Sequence, residues 1–184
     1  MRRSIFFVLM VLLFWMVNLD MMLAADYQFI RSVGSSGYGN GQFRNPGSIA
    51  VDLSGNVWVA DSNNSRIQEF DSSGNFLRTF GSYGTGNEQL EGVQGIDVDL
   101  SGNIWVADTN NYRIQKFDSN GTYLTEFGDG QFCDVAVDLS GNVWVSDWGN
   151  NRILEFSMVP EPSTLVLLGI GAISLLVYAW RRRK

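Results

Sequence analysis

Histidine is absent from this sequence, and cysteine occurs once, at Cys133. Without histidine the chain has no imidazole general base, no Ser-His-Asp triad and no histidine metal ligand. A single cysteine cannot form an intramolecular disulfide, and the strand-like segment around Cys133 predicts a buried small side chain rather than a reactive thiol. We therefore expect no catalytic residues, no cofactor and no metal site.

Proline is also scarce, with three residues against 20 glycines, and the long apolar runs lie only at the two ends of the chain. This composition is typical of many short strands that are joined by tight turns. The 184 residues suffice for one domain with additional terminal segments.

An eleven-residue stretch recurs three times in the middle of the chain, at Val51–Asp61, Val98–Asp108 and Val137–Asp147. Apolar residues alternate with polar ones on both sides of Asp-Leu-Ser-Gly-Asn, which predicts a β-hairpin whose turn uses the positive φ of Gly55. Each copy carries a tryptophan at the same place, and we expect it to stack on its counterpart in the next repeat: these are Trp58, Trp105 and Trp144.

Two full repeats each contain four strand-like segments, and the third repeat contains three. A further segment, Tyr27–Val33, resembles the last strands of the full repeats, Phe76–Gly81 and Tyr123–Gly128. Four short antiparallel strands per repeat are typical of a β-propeller blade. The sequence thus predicts an all-β domain over residues 26–158, a partial β-propeller of about three four-stranded blades.

The order of residues within each repeat resembles NHL repeats. The first copy carries the resemblance at Pro46-Gly47, Ala50–Asp52, Gly55-Asn56, Val59–Asp61, Asn64, Arg66–Gln68 and Phe70. The other copies match at Asp108, Asn111, Arg113 and Phe117, and at Asp147, Asn150, Arg152 and Phe156. The proline before the first strand is missing from these two copies, where Gly92 and Gly130 stand instead. The resemblance implies a propeller fold but no particular function, since propellers include binding modules and enzymes.

Residues 1–25 have the organisation of a secretory signal peptide. Arg2 and Arg3 precede the apolar Ile5–Val17, and Leu23-Ala24-Ala25 is suited to cleavage. The alternative is an uncleaved helical anchor, although the apolar run is short for a membrane span.

The other end of the chain combines Val159, Pro160, Glu161 and Pro162 with an apolar run at 165–180 and the basic residues 181–184. The run just reaches the length of a membrane helix, and the basic cluster would hold its end in the cytoplasm. Residues 159–184 resemble the PEP-CTERM sorting signal of Gram-negative bacteria. The resemblance implies an exosortase-type processing enzyme, a membrane-anchored intermediate and delivery to the cell envelope or the extracellular matrix. The alternative is a permanent C-terminal anchor.

An aspartate and an arginine recur five positions apart in each repeat: Asp61 with Arg66, Asp108 with Arg113, and Asp147 with Arg152. Three identical pairs favour a structural role, in which the arginine braces the loop between the second and third strands. The alternative is a ring of arginines and asparagines that faces a ligand.

Loops on one face of a propeller carry aromatic and amide side chains that could bind a ligand. The candidates are Tyr38, Tyr83, Asn64, Asn111, Tyr112, Trp148 and Asn150. The alternative is that each aromatic side chain packs against the neighbouring blade.

Residues 26–158 contain seven basic and seventeen acidic side chains, which gives them a net charge of about −10. Such a surface would repel a polyanion, so nucleic acid is an unsuitable partner.

We therefore expect an exported binding or scaffold module for an envelope protein or an extracellular polysaccharide. The alternative is a propeller enzyme of the lactonase or lyase type. The lining of the channel discriminates between them, because converging carboxylates would favour an enzyme and asparagines would favour binding.

Three blades cannot close a propeller, which typically has four to eight. A homodimer that closes a six-blade ring is one solution, with each N-terminal strand completing the last blade of the other chain. The alternatives are an open arc that other envelope components cap, and a degenerate gene product.

Overall fold

The computed structural model describes residues 27–158, which contain strands and short 3-10 turns but no α-helix. The chain divides into two units, Met1–Ser32 and Val33–Lys184. The signal peptide expected at 1–25 and the sorting segment expected at 159–184 lie outside the described residues. Within 27–158, no helix is long and apolar enough to cross a bilayer.

Three antiparallel sheets follow one another along the chain, and we call them blades 1, 2 and 3. The short strands β1 (Ser35–Ser36) and β2 (Gln42–Phe43) precede blade 1. Blade 1 contains β3 (Pro46–Val51), β4 (Val57–Asp61), β5 (Arg66–Phe70) and β6 (Phe76–Phe80). After β7 (Ser82–Tyr83) and β8 (Gln89–Leu90), blade 2 contains β9 (Gly95–Val98), β10 (Ile104–Asp108), β11 (Arg113–Phe117) and β12 (Tyr123–Phe127). Blade 3 has three strands, β13 (Phe132–Val137), β14 (Val143–Asp147) and β15 (Arg152–Phe156). The fold is a partial β-propeller, as the sequence predicted.

Two features of the connections were not expected from the sequence. The strands β1 and β2 pair in parallel, and so do β7 and β8, so the long loops before blades 1 and 2 each fold into a compact ladder. A single 3-10 turn joins the second and third strands of each blade, at Ser62–Asn64, Thr109–Asn111 and Trp148–Asn150.

The hairpin turns are held by the first aspartate of Asp-Leu-Ser-Gly-Asn. Asp52 Oδ1 accepts hydrogen bonds from the backbone amides of Ser54 and Asn56 at 2.8 and 2.9 Å. The indole of Trp58 donates to the other carboxylate oxygen at 3.2 Å, and Gly55 has a φ of +83° as the turn requires. The same arrangement recurs at Asp99 and Asp138.

The tryptophans do not stack on one another, which corrects the expectation from the sequence. Trp58 instead contacts Phe80 of its own blade edge-on at 6.3 Å, and Trp105 contacts Phe127 in the same way at 6.2 Å. Because each indole nitrogen is fixed by the turn aspartate, the ring lies over the fourth strand of its own sheet.

The hydrophobic core lies between successive blades rather than inside one sheet. Ala60 and Ile67 of blade 1 pack with Ile104 and Phe117 of blade 2, and all four are fully buried. Rings bridge the blades, with centroids 4.9 Å apart for Phe80 and Phe117. A second cluster fills the gap between blades 2 and 3, where Phe127 and Phe156 lie 4.6 Å apart. Each blade is therefore stabilised mainly by its neighbours.

The predicted strand Tyr27–Val33 is not formed in the single chain, and this expectation was wrong for the isolated molecule. Residues 27–34 have no strand partner among the described residues, and the side chains of Phe29 and Ile30 are exposed. A strand needs a neighbouring strand for its backbone hydrogen bonds, and none of the strands within 35–156 pairs with this segment.

Acid should lower the stability of the fold by protonating the aspartates that hold the hairpin turns. Burial raises the pKa of Asp99, but hydrogen bonds from Asn103 and Trp105 outweigh it, so the pKa lies below the ordinary 3.8. Asp71 and Asp118 hold the turns between the third and fourth strands of blades 1 and 2 in the same way. Burial is again outweighed by hydrogen bonds from the turn residues, which also lower the pKa of Asp52, Asp71, Asp118 and Asp138. A group with a lowered native pKa stabilises the fold fully above its unfolded pKa and loses that contribution as the pH falls through the native value.

We therefore expect the free energy of unfolding to fall steadily as the pH drops below about 4, and Asp99→Asn to flatten part of this dependence. Urea unfolding of the wild type and the variant across this pH range measures the effect. The neighbouring Ser101→Ala is the control and should keep the wild-type slope. Equal slopes for all three proteins would contradict the assignment.

Candidate functional site

A buried aspartate at the end of the second strand organises the loop side of each blade. In blade 1, Asp61 is fully buried and one carboxylate oxygen accepts the backbone amide of Arg44 at 2.8 Å. The other oxygen accepts from Asn64 at 2.8 Å, from Arg66 Nε at 2.8 Å and from Gln68 at 3.1 Å. We call Asp61, Asn64, Arg66 and Gln68, with their counterparts in the other blades, the loop clamp.

The clamp of blade 1 binds the backbone of the glycine-rich loop 34–45. The guanidinium of Arg66 donates to the carbonyl oxygens of Tyr38, Gly39 and Gln42 at 2.7 to 2.9 Å. The amide of Gln68 also donates to Gln42 and accepts a hydrogen bond from the backbone of Gly41. A loop with many glycines is costly to order, and these hydrogen bonds fix it on the rigid blade.

Blade 2 repeats the clamp on the loop 81–92. Arg113 donates to Asp108 at 2.9 Å and to the carbonyl oxygens of Gly86 and Gln89 at 2.7 and 3.0 Å. It also forms an ion pair with Glu126 at 2.6 Å. Gln115 repeats the role of Gln68 by donating to Asp108 and Gln89.

Blade 3 keeps only part of the clamp. Asn150 and Arg152 donate to Asp147, and these bonds lower the pKa of that carboxyl group. Leu154 occupies the position of the clamp glutamine, and the preceding loop is reduced to 128–131. The guanidinium of Arg152 is therefore left without loop carbonyls, and 57% of the side chain is exposed.

The three asparagines proposed for a ligand face belong to the clamp. Asn64, Asn111 and Asn150 each direct the side-chain amide to the aspartate three residues earlier. Asn64 and Asn111 also donate to loop carbonyls, so their amides are used by the fold. Asn63 and Asn110, which directly precede Asn64 and Asn111, are the asparagines that face solvent.

The four aromatic candidates are exposed. Tyr38 and Tyr83 are 71% and 72% exposed on the two clamped loops. Tyr112, directly after a 3-10 turn, is 53% exposed, and Trp148, on a 3-10 turn, is 68% exposed. Tyr38 is oriented by Arg44, which donates to its hydroxyl at 2.8 Å and lies 4.8 Å from the ring centroid. The structure places these aromatics on loops and turns as the sequence predicted.

A groove of about 740 Å³ runs across the loop side of the first strands, where the three blades come together. Its lining is dominated by amides and hydroxyls, with one carboxylate at Asp134: the polar side chains are Asn45, Ser48, Ser62, Asn63, Gln94 and Asn110. The side-chain amides of Asn63 and Asn110 make no hydrogen bond to other described residues. They are therefore available to a ligand that both donates and accepts hydrogen bonds.

Cys133 lines this groove and is half-buried, whereas the sequence predicted a buried small side chain. Burial and the nearby Asp134 raise the pKa of the thiol. The thiolate form is therefore disfavoured, and the site does not activate the cysteine as a nucleophile. Within 27–158, no cluster of three or more His, Cys, Asp or Glu side chains could hold a metal ion.

Sequence reasoning did not identify the groove residues Asn63 and Asn110. The motif Ser/Thr-Asn-Asn offers two adjacent asparagines in blades 1 and 2, and the second was selected because it recurs in all three repeats. In the third repeat Gly149 replaces the first asparagine. The first position of the pair varies between repeats, while the second is always asparagine. This difference was the sequence signal that the first asparagine lies on the surface.

The repeated antiparallel sheets of four, four and three strands, each with a buried aspartate paired to an arginine, define the molecule as a partial β-propeller. The NHL repeat family matches residues 43–70 and 90–117, and the PEP-CTERM protein-sorting motif matches residues 159–184. The chain thus contains two NHL repeats and a C-terminal PEP-CTERM sorting motif, and this motif supports an exported protein. A stretch of 49 residues is 43% identical to human NHL repeat-containing protein 3, and it covers 27% of this chain and 14% of the human protein.

Among solved structures, a WD40 domain and a protein of unknown function share the fold at low sequence identity. The WD40 β-propeller domain of Doa1 has a TM-score of 0.51 at 18% identity, over 62% of this chain and 37% of that one. A Bacteroides caccae protein of unknown function has a TM-score of 0.50 at 19% identity, over 61% and 42% of the two chains. Virginiamycin B lyase from Staphylococcus aureus has a TM-score of 0.48 at 19% identity, over 63% and 42%. This chain spans less than half the length of each of these structures.

Proposed function

We propose that this protein is a noncatalytic binding module, exported through its sorting motif, which binds a neutral extracellular polysaccharide in the amide-lined groove. The observation that carries the proposal is the unpaired Asn63 and Asn110 amides in a groove of about 740 Å³. Carboxamides donate and accept at once, which matches the hydroxyl groups of a sugar polymer. The exposed Tyr38 and Tyr83 add flat apolar surfaces on loops that the clamp holds rigid.

The acidic charge of the domain supports a neutral rather than an anionic ligand. A net charge of about −10 over residues 26–158 repels polyanions, including acidic polysaccharides and nucleic acids. The groove contributes one carboxylate among amides and hydroxyls, a lining that favours binding over the lactonase or lyase alternative.

Binding should depend on the groove amides. The double variant Asn63→Ala, Asn110→Ala is expected to lower affinity for a neutral glycan about 5- to 150-fold, since it removes two hydrogen bonds that contribute about 0.5–1.5 kcal/mol each. A glycan array followed by calorimetry on the full chain in detergent measures this loss. The control is Asn120→Ala on an exposed hairpin turn, which should bind normally.

No binding to any neutral glycan on the array, or equal binding by the double variant and the wild type, would contradict the assignment of a glycan to this groove. Tyr38→Ala separates the two surfaces. A loss with this variant but not with the double variant would move the contact from the groove to loop 34–45.

Processing of the tail is a separate prediction. Glu161 lies between Pro160 and Pro162, directly before the apolar run. In a cell that carries an exosortase, Glu161→Ala is expected to leave a longer, membrane-retained form, because the enzyme would no longer recognise the motif. Intact-mass spectrometry of the wild type and the variant checks this. Identical masses that both include residues 165–184 would show that the tail is a permanent anchor.

A further inference from the structure

The two ends of the blade array expose positions that are buried between blades elsewhere. On the first strand, Ile96 and Val135 face the preceding blade and are each 3% exposed, whereas the equivalent Ile49 of blade 1 is 64% exposed. Blade 1 thus presents an apolar surface with the composition of an interface between blades.

The opposite end shows the same pattern on the other face. Ile67 and Ile114 face the following blade and are fully buried, whereas the equivalent Ile153 of blade 3 is 71% exposed. Trp144 is 38% exposed, but Trp58 and Trp105 at the same position are nearly buried. The exposed face of blade 3 is therefore equivalent to the faces of blades 1 and 2 that pack against blades 2 and 3.

Blade 3 also lacks a fourth strand. In blades 1 and 2, β5 and β11 pair on their outer side with β6 and β12. Within the described part of the chain, nothing pairs with the outer side of β15. Its backbone groups form an unpaired edge that can accept another strand.

Residues 27–33 have the sequence of the missing strand. When Gly34 is aligned with Gly81 and Gly128, Phe29 falls on Phe76 and Tyr123. Ile30 then falls on Leu77 and Leu124, and Val33 falls on Phe80 and Phe127. The alternation of the fourth strands is therefore preserved at every position.

The backbone after this segment already has the conformation that follows a fourth strand. Gly34 has a φ of +90°, against +89° at Gly81 and +91° at Gly128. Such angles favour glycine, and the three residues serve the same connection between a fourth strand and the next loop. Residues 27–33 thus precede loop 34–45 as β6 precedes loop 81–92.

We propose that residues 27–33 of one copy add as the fourth strand to β15 of a second copy, reciprocally, so that two chains close a six-blade ring. Three blades are too few for a chain to close upon itself, since propellers use four to eight. A two-fold axis makes both contacts identical, and each exposed end face then packs on the opposite end of the other copy. The partner is a second copy because both halves of the contact are present in this sequence.

The register of this pairing follows from blade 1. There Ile67 lies opposite Phe80 and Phe70 lies opposite Phe76. By the same register Ile153 lies opposite Val33, and Phe156 lies opposite Phe29, of the second copy.

Charge agrees with this register. Glu69 lies opposite Arg78, and the two form an ion pair at 2.5 Å. The equivalent residues are Glu155 on β15 and Arg31 on the added strand. Opposite charges across a strand pair stabilise it, so the two copies are complementary at this position as well.

One contact differs from the interior interfaces. Ser62 and Thr109 donate their hydroxyls to carbonyl oxygens of the next blade, at Val93 and Phe132. Trp148 occupies this position in blade 3, where its exposed indole would lie over Pro46 of the second copy. This assigns Trp148 to the contact between chains, and no longer to a ligand face.

Cysteine cross-linking of the full chain in detergent tests the strand exchange. Both partners carry Cys133→Ser, one with Ser32→Cys and the other with Leu154→Cys, since these positions lie opposite in the proposed register. Mixing should give a disulfide-linked dimer, and neither protein alone should. The control replaces Leu154→Cys by Ser140→Cys on an exposed turn, which should not cross-link.

A charge exchange gives a second readout. Glu155→Arg should raise the dissociation constant of the dimer about tenfold, because both copies of the pair become repulsive, and adding Arg31→Glu should restore it. Light scattering on folded protein, checked by circular dichroism, measures both. A stable wild-type monomer at micromolar concentration, cross-linking to the control position, or no rescue by the reversed pair would overturn the proposal. Glycan binding by such a monomer would leave the groove assignment intact.

Discussion

Asp108→Ala is expected to lower the free energy of unfolding by about 3–5 kcal/mol, because it removes the acceptor at the centre of a buried polar cluster. Asp108 is fully buried and accepts from the backbone of Glu91, from Asn111, from Arg113 and from Gln115. Without the carboxylate the guanidinium loses its buried counter-charge. Urea unfolding of the full chain in detergent measures the loss.

The matched control is Asp147→Ala at the same position of blade 3. Among the residues of 27–158, Asp147 accepts side-chain hydrogen bonds from Asn150 and Arg152 alone, and the side chain of Arg152 is largely exposed. Water can satisfy that guanidinium, so the loss of stability should be much smaller. Equal losses of unfolding free energy for the two variants would show that the contacts with loop 81–92 do not strengthen the Asp108–Arg113 pair. Arg113→Ala should destabilise by about 1–4 kcal/mol for the same reason.

Gly95→Ala is expected to destabilise the protein by about 3 kcal/mol or more, because it forces blades 2 and 3 apart. A Cβ atom at Gly95 would lie 2.6 Å from Asp134 Cα and 2.9 Å from the backbone nitrogen of Val135. Backbone atoms of a paired strand cannot move as a side chain can. We expect a lower melting temperature by differential scanning calorimetry, and weaker protection of the β13 amides in hydrogen exchange.

Gly149→Ala serves as its control. A Cβ atom there would lie 3.6 Å from the side chain of Gln131, which is ordinary contact. The control should therefore leave the melting temperature nearly unchanged. A Gly95→Ala protein that melts with the control would mean that blades 2 and 3 are not in close contact at this point.

The strands and their pairing were predictable because the same pattern of apolar and turn residues occurs in all three repeats. Alternation of apolar residues fixed β4, β10 and β14, and the turn residues between them fixed the hairpins. The tryptophan contacts were not predictable in this way. Their direction depends on a hydrogen bond from the indole to the turn aspartate, which alternation does not encode.

The clamp and the groove were only partly predictable. The five-residue spacing indicated the Asp–Arg pairs, but the role of Gln68 and Gln115 depends on loops that fold back over β5 and β11. Asn63 and Asn110 reach the groove because a 3-10 turn directs successive side chains to different sides. The sequence shows neither the fold-back nor the turn.

The loop carbonyls that a clamp binds all precede that clamp in the chain. Arg66 binds carbonyls up to 28 positions earlier, and Arg113 binds carbonyls up to 27 positions earlier. When the polypeptide leaves a translocation channel with its N-terminus first, each loop can therefore be locked as soon as the third strand of its own blade emerges. No clamp needs a residue from a later repeat, so the loops of an exported chain can be ordered one after another behind the membrane, while each new blade packs on the one before it.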